Sequence, residues 1–122
     1  MELSRGCPMC LLVVLLVGAA CPAPPAPTAA PPDPGEAVYR ADACSGCHGS
    51  AGQGGATGPA LTGLARHWTE DSLVAFLSDP YPVMERDARL RAMRESYGIG
   101  MPPAQTTSEE RLRQLSRWLL TR

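Results

Sequence analysis

Lysine is absent from this 122-residue chain, and all eleven basic side chains are arginines. Twelve acidic side chains nearly balance them, so the formal net charge is only −1. A nucleic-acid-binding protein needs a basic surface, and electrostatic adsorption to an anionic membrane needs a cluster of basic side chains. The composition therefore argues against nucleic acid as a partner and against a charge-driven membrane contact.

Long apolar runs are also missing. The most apolar stretch, residues 11–17, is much shorter than the roughly 20 residues that a membrane-spanning helix needs. Arg5 precedes this stretch and the small residues 18–20 follow it, which predicts a cleaved export signal over residues 1–20. Its removal takes away one basic and one acidic side chain, so the charge balance is unchanged.

Cys21 directly follows the small residues, as the lipid-modified cysteine does in a bacterial lipoprotein. We therefore expect export to the periplasmic side of the cell envelope, with a lipid anchor to the membrane at Cys21. Ordinary cleavage that leaves a free thiol is the alternative. Residues 21–34 are mostly Pro and Ala, a composition that favours an extended polyproline II spacer between the anchor and a folded domain.

No strand pattern is visible, whereas helix signals recur from Asp33 onward. Residues 35–122 therefore predict a single all-α domain. Cap residues mark the starts of the expected helices, and Gly or Asp-Pro marks the ends of two of them. The expected helices run from Asp33 to about Ala43, from Thr69 to Asp79, from about Met84 to Ser96, and onward from Thr107.

The segment Cys44-Ser45-Gly46-Cys47-His48 carries the chemistry. Two thiols three positions apart, followed at once by an imidazole, match the attachment motif of c-type haem. One turn of chain places both sulfurs along one edge of a porphyrin, and the histidine below the iron as its proximal ligand. We expect Cys44 and Cys47 to bind haem covalently and His48 to ligate its iron.

Two rival interpretations fit the same motif less well. A thioredoxin-like pair opens a helix after a strand, but the residues before Cys44 have a helical pattern. A zinc site needs four ligands, and only the distant His67 is left to complete one.

The second axial ligand decides what the iron can do. His67, Met84, Met93 and Met101 are the candidates. Met101 is our choice, because the glycines before it permit a sharp turn and Pro102 and Pro103 stiffen the backbone after it. Met84 and Met93 fall in a helical pattern and are expected to fill the core.

Residues 35–122 resemble a class I mono-haem cytochrome c. The matching elements are the first helix with Gly35 and Tyr39, the haem motif, Gly58-Pro59-Ala60-Leu61, the Met101-Pro102 loop and the last helix. The resemblance implies a small cytochrome c fold, with three to five helices wrapped around one covalently attached haem c.

The resemblance also implies specific contacts. The Pro59 carbonyl would accept a hydrogen bond from the proximal imidazole, which fixes the orientation of the ring. The first and last helices would cross with Gly35 and Tyr39 against Leu115 and Trp118. Arg66 falls near the position of an arginine that faces a haem propionate. Residues 81–99 match no family pattern. Their four arginines are expected to lie on a solvated helix face, and a docking surface for an acidic partner is the alternative.

With both axial positions filled, the iron has no vacant site for a substrate. We therefore expect a monomeric single-electron carrier, not an enzyme, which exchanges electrons with membrane-associated redox proteins. Two alternatives stay open. One is a haem enzyme or gas sensor with an open sixth position, and the other is a haem subunit of a larger oxidoreductase.

Overall fold

The computed structural model describes residues 30–122. The expected export signal, Cys21 and most of the Pro/Ala spacer lie outside this range. The described residues form helices and loops without a strand, which confirms the all-α prediction. The helices are α1 (Pro34–Ala41), α2 (Ser45–His48), α3 (Glu70–Ser78), α4 (Pro80–Arg86), α5 (Ala88–Tyr97) and α6 (Glu109–Leu120), with a 3-10 turn at Leu64–Arg66.

The first and last long helices pack against each other. Gly35 is buried, and a Cβ at that position would overlap the Gln114 carbonyl oxygen and the Trp118 Cβ. The Tyr39 and Trp118 rings lie 5.0 Å apart between centroids. The expected crossing of α1 and α6 is thus confirmed, with glycine at the point of closest approach.

A single core joins the helices. Buried apolar side chains come from α1, α3, α4, α5 and α6, because each helix carries apolar residues three and four positions apart. They are Val38, Tyr39, Leu73, Phe76, Leu77, Met84, Leu90, Leu112, Leu115, Trp118 and Leu119. Among the described residues, no helix is long and apolar enough to cross a bilayer.

Several helix limits match the sequence signals. Asp33 caps α1 through a hydrogen bond from the Gly35 amide. Thr69 caps α3 in a reciprocal pair with Ser72. Gly98, with φ of 70°, ends α5 in the left-handed conformation that glycine allows.

Three limits differ from the prediction. The first helix ends at Ala41, two residues early, and a turn separates it from α2. The expected helix over residues 84–96 is two helices, because Asp87 is extended and its carboxylate caps α5 through the Arg89 and Leu90 amides. The last helix is capped by Ser108 and not by Thr107. The part of the chain that the structure describes therefore has six helices, one more than the upper end of the expected three to five, in a small cytochrome c fold.

Candidate functional site

An open cleft lies between α2, the loop over residues 52–61, helices α3–α5 and the loop after α5. It contains about 1280 Å³ of space, part of which is open solvent at its mouth. Most of its lining is apolar, and both thiols of the haem motif and His48 border it. The other principal lining side chains are Tyr39, Leu61, Leu64, Trp68, Phe76, Leu77, Met84, Leu90, Met93 and Met101.

A tight turn between α1 and α2 places the motif at this cleft. Ala43 lies in the turn with φ of 57°, a region that side-chain-bearing residues seldom adopt. The backbone hydrogen bonds from the Ala43 amide to Arg40 and from the Cys44 amide to Tyr39 hold the turn. The turn thus separates α1 from α2, and Cys47 and His48 of α2 line the cleft.

His48 ends α2 and is buried, with 8% of its surface exposed. Its Nδ1 lies 2.8 Å from the Pro59 carbonyl oxygen. A carbonyl can only accept a hydrogen bond, so Nδ1 carries the proton and Nε2 keeps its lone pair for a metal. This is the contact that the family resemblance implies for these two residues.

Gly58 lets the loop approach α2 closely enough for that contact. A Cβ on Gly58 would lie 2.9 Å from the Cys47 carbonyl oxygen, which is closer than real Cβ atoms come to backbone. Tyr39 contacts the end of α2, where its hydroxyl donates a hydrogen bond of 2.6 Å to the Gly49 carbonyl oxygen.

The two motif thiols are unpaired and both border the cleft. Cys47 is exposed and Cys44 is half-buried. Burial raises the pKa of Cys44 to about 11, and the nearby Asp42 carboxylate and Cys47 add to the shift. The Cys44 thiol is therefore neutral at pH 7.

The four candidates for the second ligand separate into two groups. Met84, Met93 and Met101 all line the cleft. His67 is exposed at the end of the 3-10 turn and is not part of the lining. The exposed Arg66 is also outside the lining, so the structure supports neither a ligand role for His67 nor a propionate contact for Arg66.

Sequence reasoning missed two arginines at the cleft. Arg89 and Arg94 of α5 border it, although residues 81–99 match no family pattern. The Arg89 guanidinium lies 5.7 Å from the Trp68 ring centroid, and Arg94 forms an ion pair of 2.5 Å with Glu85. No local signal could have found them, because only the packing of α5 brings them to the cleft.

The donor set fits a covalently held haem. Two thiols three residues apart and an oriented imidazole border one apolar cleft, and thioether sulfurs lie in the same lining. Within residues 30–122, no group of three or more His, Cys, Asp or Glu side chains could hold a bare metal ion. A helical fold around a cleft with these donors is that of a c-type cytochrome domain.

Comparison with known protein families also indicates a c-type cytochrome. A sequence model of the family described as cytochrome c oxidase, cbb3-type, subunit III matches residues 30–119. The match covers most of the chain, so the protein belongs to this family of c-type cytochromes. Its cofactor is haem c with iron, and its chemistry is haem-based electron transfer. Searches of curated proteins and of solved structures found no match.

Proposed function

We propose that the protein is a single-electron carrier with one haem c, bonded through Cys44 and Cys47 and ligated by His48 and Met101. The contact between His48 and the Pro59 carbonyl carries the proposal, because it leaves Nε2 available as a ligand within a cleft bordered by both thiols. The haem, when bound, supplies an iron that gains and loses one electron.

Met101 is the best second ligand of the three methionines at the cleft. Met84 is buried in the core on α4, with 3% of its surface exposed, and Met93 lies on α5. Met101 is half-buried in a loop without regular structure, between Gly100 and Pro102. A loop can bring its sulfur to the iron without moving a helix, and the prolines restrict its backbone.

The side chains around the cleft also favour a carrier. Two protein ligands leave no position for a substrate, and a thioether ligand favours the reduced iron. The apolar lining excludes water and disfavours the extra positive charge of the oxidised state, so it also raises the reduction potential.

We further propose that the carrier works at a membrane surface. Export and a lipid anchor at Cys21 would hold the domain at the periplasmic face of a membrane. Confinement there would raise its effective concentration near membrane-bound donors and acceptors. We propose redox proteins of that kind as its partners, with the carrier acting as a monomer.

The family description favours a second candidate, a haem subunit of a larger oxidoreductase. Co-purification separates the two. A carrier is recovered alone after mild detergent extraction, whereas a subunit is recovered with stoichiometric partner chains.

The methionines of the cleft provide a matched test of the ligand. Met101→Leu, Met84→Leu and Met93→Leu each replace a thioether by a side chain of similar volume. We expect only Met101→Leu to lose the far-red methionine-to-iron absorption band of the oxidised protein and to bind carbon monoxide promptly when reduced. Loss of the band in another variant would reassign the ligand. Carbon monoxide binding by the unaltered protein would favour a gas sensor or haem enzyme.

A further inference from the structure

The loop that carries Met101 is tied to the rest of the domain at two places. Residues 98–108 contain no helix. The Ala104 amide donates a hydrogen bond of 2.8 Å to the Leu77 carbonyl oxygen of α3. The Thr106 amide donates one of 2.9 Å to Oδ2 of Asp42.

Asp42 belongs to a different segment of the cleft lining from Met101. It follows the last residue of α1, borders the cleft and precedes the turn that leads into Cys44. Its bond to Thr106 joins residues 64 positions apart in the chain. One carboxylate therefore connects the segment that holds the haem motif with the segment that holds Met101.

Only part of the Met101 loop packs against the apolar core. Met101 and Ala104 are half-buried against the core, whereas Ile99, Gly100, Pro102 and Pro103 are exposed. Segments with few buried apolar contacts open locally at a small free-energy cost. A charge-assisted hydrogen bond at Asp42 is stronger than a neutral one and can contribute substantially to keeping such a loop closed.

We propose that Asp42 is a positioning residue, which keeps the Met101 loop closed over the cleft by holding the Thr106 amide. This inference rests on the proposed ligation by Met101. Asp42 does not touch the iron in this scheme. It sets how often the loop moves away and leaves the sixth position to an outside ligand.

Imidazole binding to the purified, oxidised holoprotein measures that opening, because imidazole can occupy the position only when Met101 has left it. Its apparent affinity scales with the open fraction. Asp42→Ala removes the acceptor, and Asp42→Asn keeps an acceptor oxygen of the same shape. Asp33→Ala is the matched control, because it also removes a carboxylate that accepts a backbone amide, at the start of α1 and away from the loop.

We expect Asp42→Ala to bind imidazole about tenfold more tightly or more, in keeping with the loss of a hydrogen bond to a charged group. Asp42→Asn keeps only a neutral acceptor, so its imidazole affinity should lie between those of the unaltered protein and Asp42→Ala. Asp33→Ala should stay within about twofold of the unaltered protein even if it melts at a lower temperature. If Asp42→Ala yields no holoprotein, Asp42→Ser is measured with the same expectation, since its shorter side chain places the oxygen away from Thr106.

Equal imidazole affinities for Asp42→Ala and Asp33→Ala, with the far-red band intact in the unaltered protein, would overturn the role of Asp42 and leave the ligand assignment standing. If the unaltered protein lacks the band and binds imidazole as tightly as Met101→Leu, the ligation by Met101 fails and the role of Asp42 fails with it.

Discussion

Gly35 sets the distance between α1 and α6, since its missing side chain leaves room for the Gln114 backbone and for Trp118. We expect Gly35→Ala to lower the free energy of unfolding by about 1–3 kcal/mol or more, because the added methyl group must displace backbone. Gly46→Ala is the control, since a Cβ there meets nothing within 4 Å. Equal denaturation midpoints for the two holoproteins would contradict this account of the crossing.

Ser116 is fully buried in α6, and its hydroxyl has no hydrogen-bond partner among the described residues. Ser116→Ala should therefore raise the free energy of unfolding by about 1 kcal/mol, since it removes an unsatisfied polar group and improves helix propensity. Ser108→Ala should have the opposite sign and cost about 1 kcal/mol, because Ser108 caps the same helix. Destabilisation by both changes would indicate a partner for the Ser116 hydroxyl.

At the scale of elements, ion pairs join α3 to α6. The Glu70 carboxylate accepts hydrogen bonds of 3.1 Å from Arg117 and from Arg113. These bonds, that of Arg117 first, hold the pKa of Glu70 below its ordinary value of 4.5. A lowered pKa stabilises the fold above pH 4.5, and this stability is lost as the pH falls through the pKa of the folded state.

Glu70→Gln should therefore lose less stability than the unaltered protein when the pH falls below 4.5. Thermal melts over a series of acidic buffers would measure this, with Glu95→Gln on α5 as an exposed control. Parallel pH curves for Glu70→Gln and the unaltered protein would show that the ion pairs contribute no pH-dependent stability.

The ends of the helices show which structural features the sequence could predict. The caps at Asp33 and Thr69 and the end at Gly98 were predictable, because each depends on a local hydrogen bond or a local backbone conformation. The break at Asp87 was not recognised, since the apolar spacing continues across it and hides a capping carboxylate. The start of α6 was wrong by one residue, because Thr107 and Ser108 are both good cap residues.

At the scale of the whole molecule, many side chains of the apolar core also line the cleft. The domain over residues 35–122 is small for independent stability, and a covalently held porphyrin would supply apolar surface that the chain lacks. We expect Cys44→Ala/Cys47→Ala, which cannot fix the haem, to be largely unfolded. Circular dichroism would test this, and a cooperative melt like that of the holoprotein would contradict it.

The candidate site was only partly predictable for a related reason. The haem motif is five consecutive residues, so the sequence shows it directly. The cleft around it is built from α3, α4, α5 and two loops, and Trp68, Arg89 and Arg94 enter its lining only through tertiary packing. The bond between Asp42 and Thr106 likewise joins positions that no local pattern relates.

The most direct test of the central proposal is extraction of the denatured protein with acidic acetone, which removes haem that is not covalently bound. We expect the polypeptide to keep its colour, and its peptide containing Cys44 and Cys47 to carry the added mass of one haem. A colourless polypeptide with two unmodified thiols would contradict the proposed attachment and the electron-carrier function that depends on it.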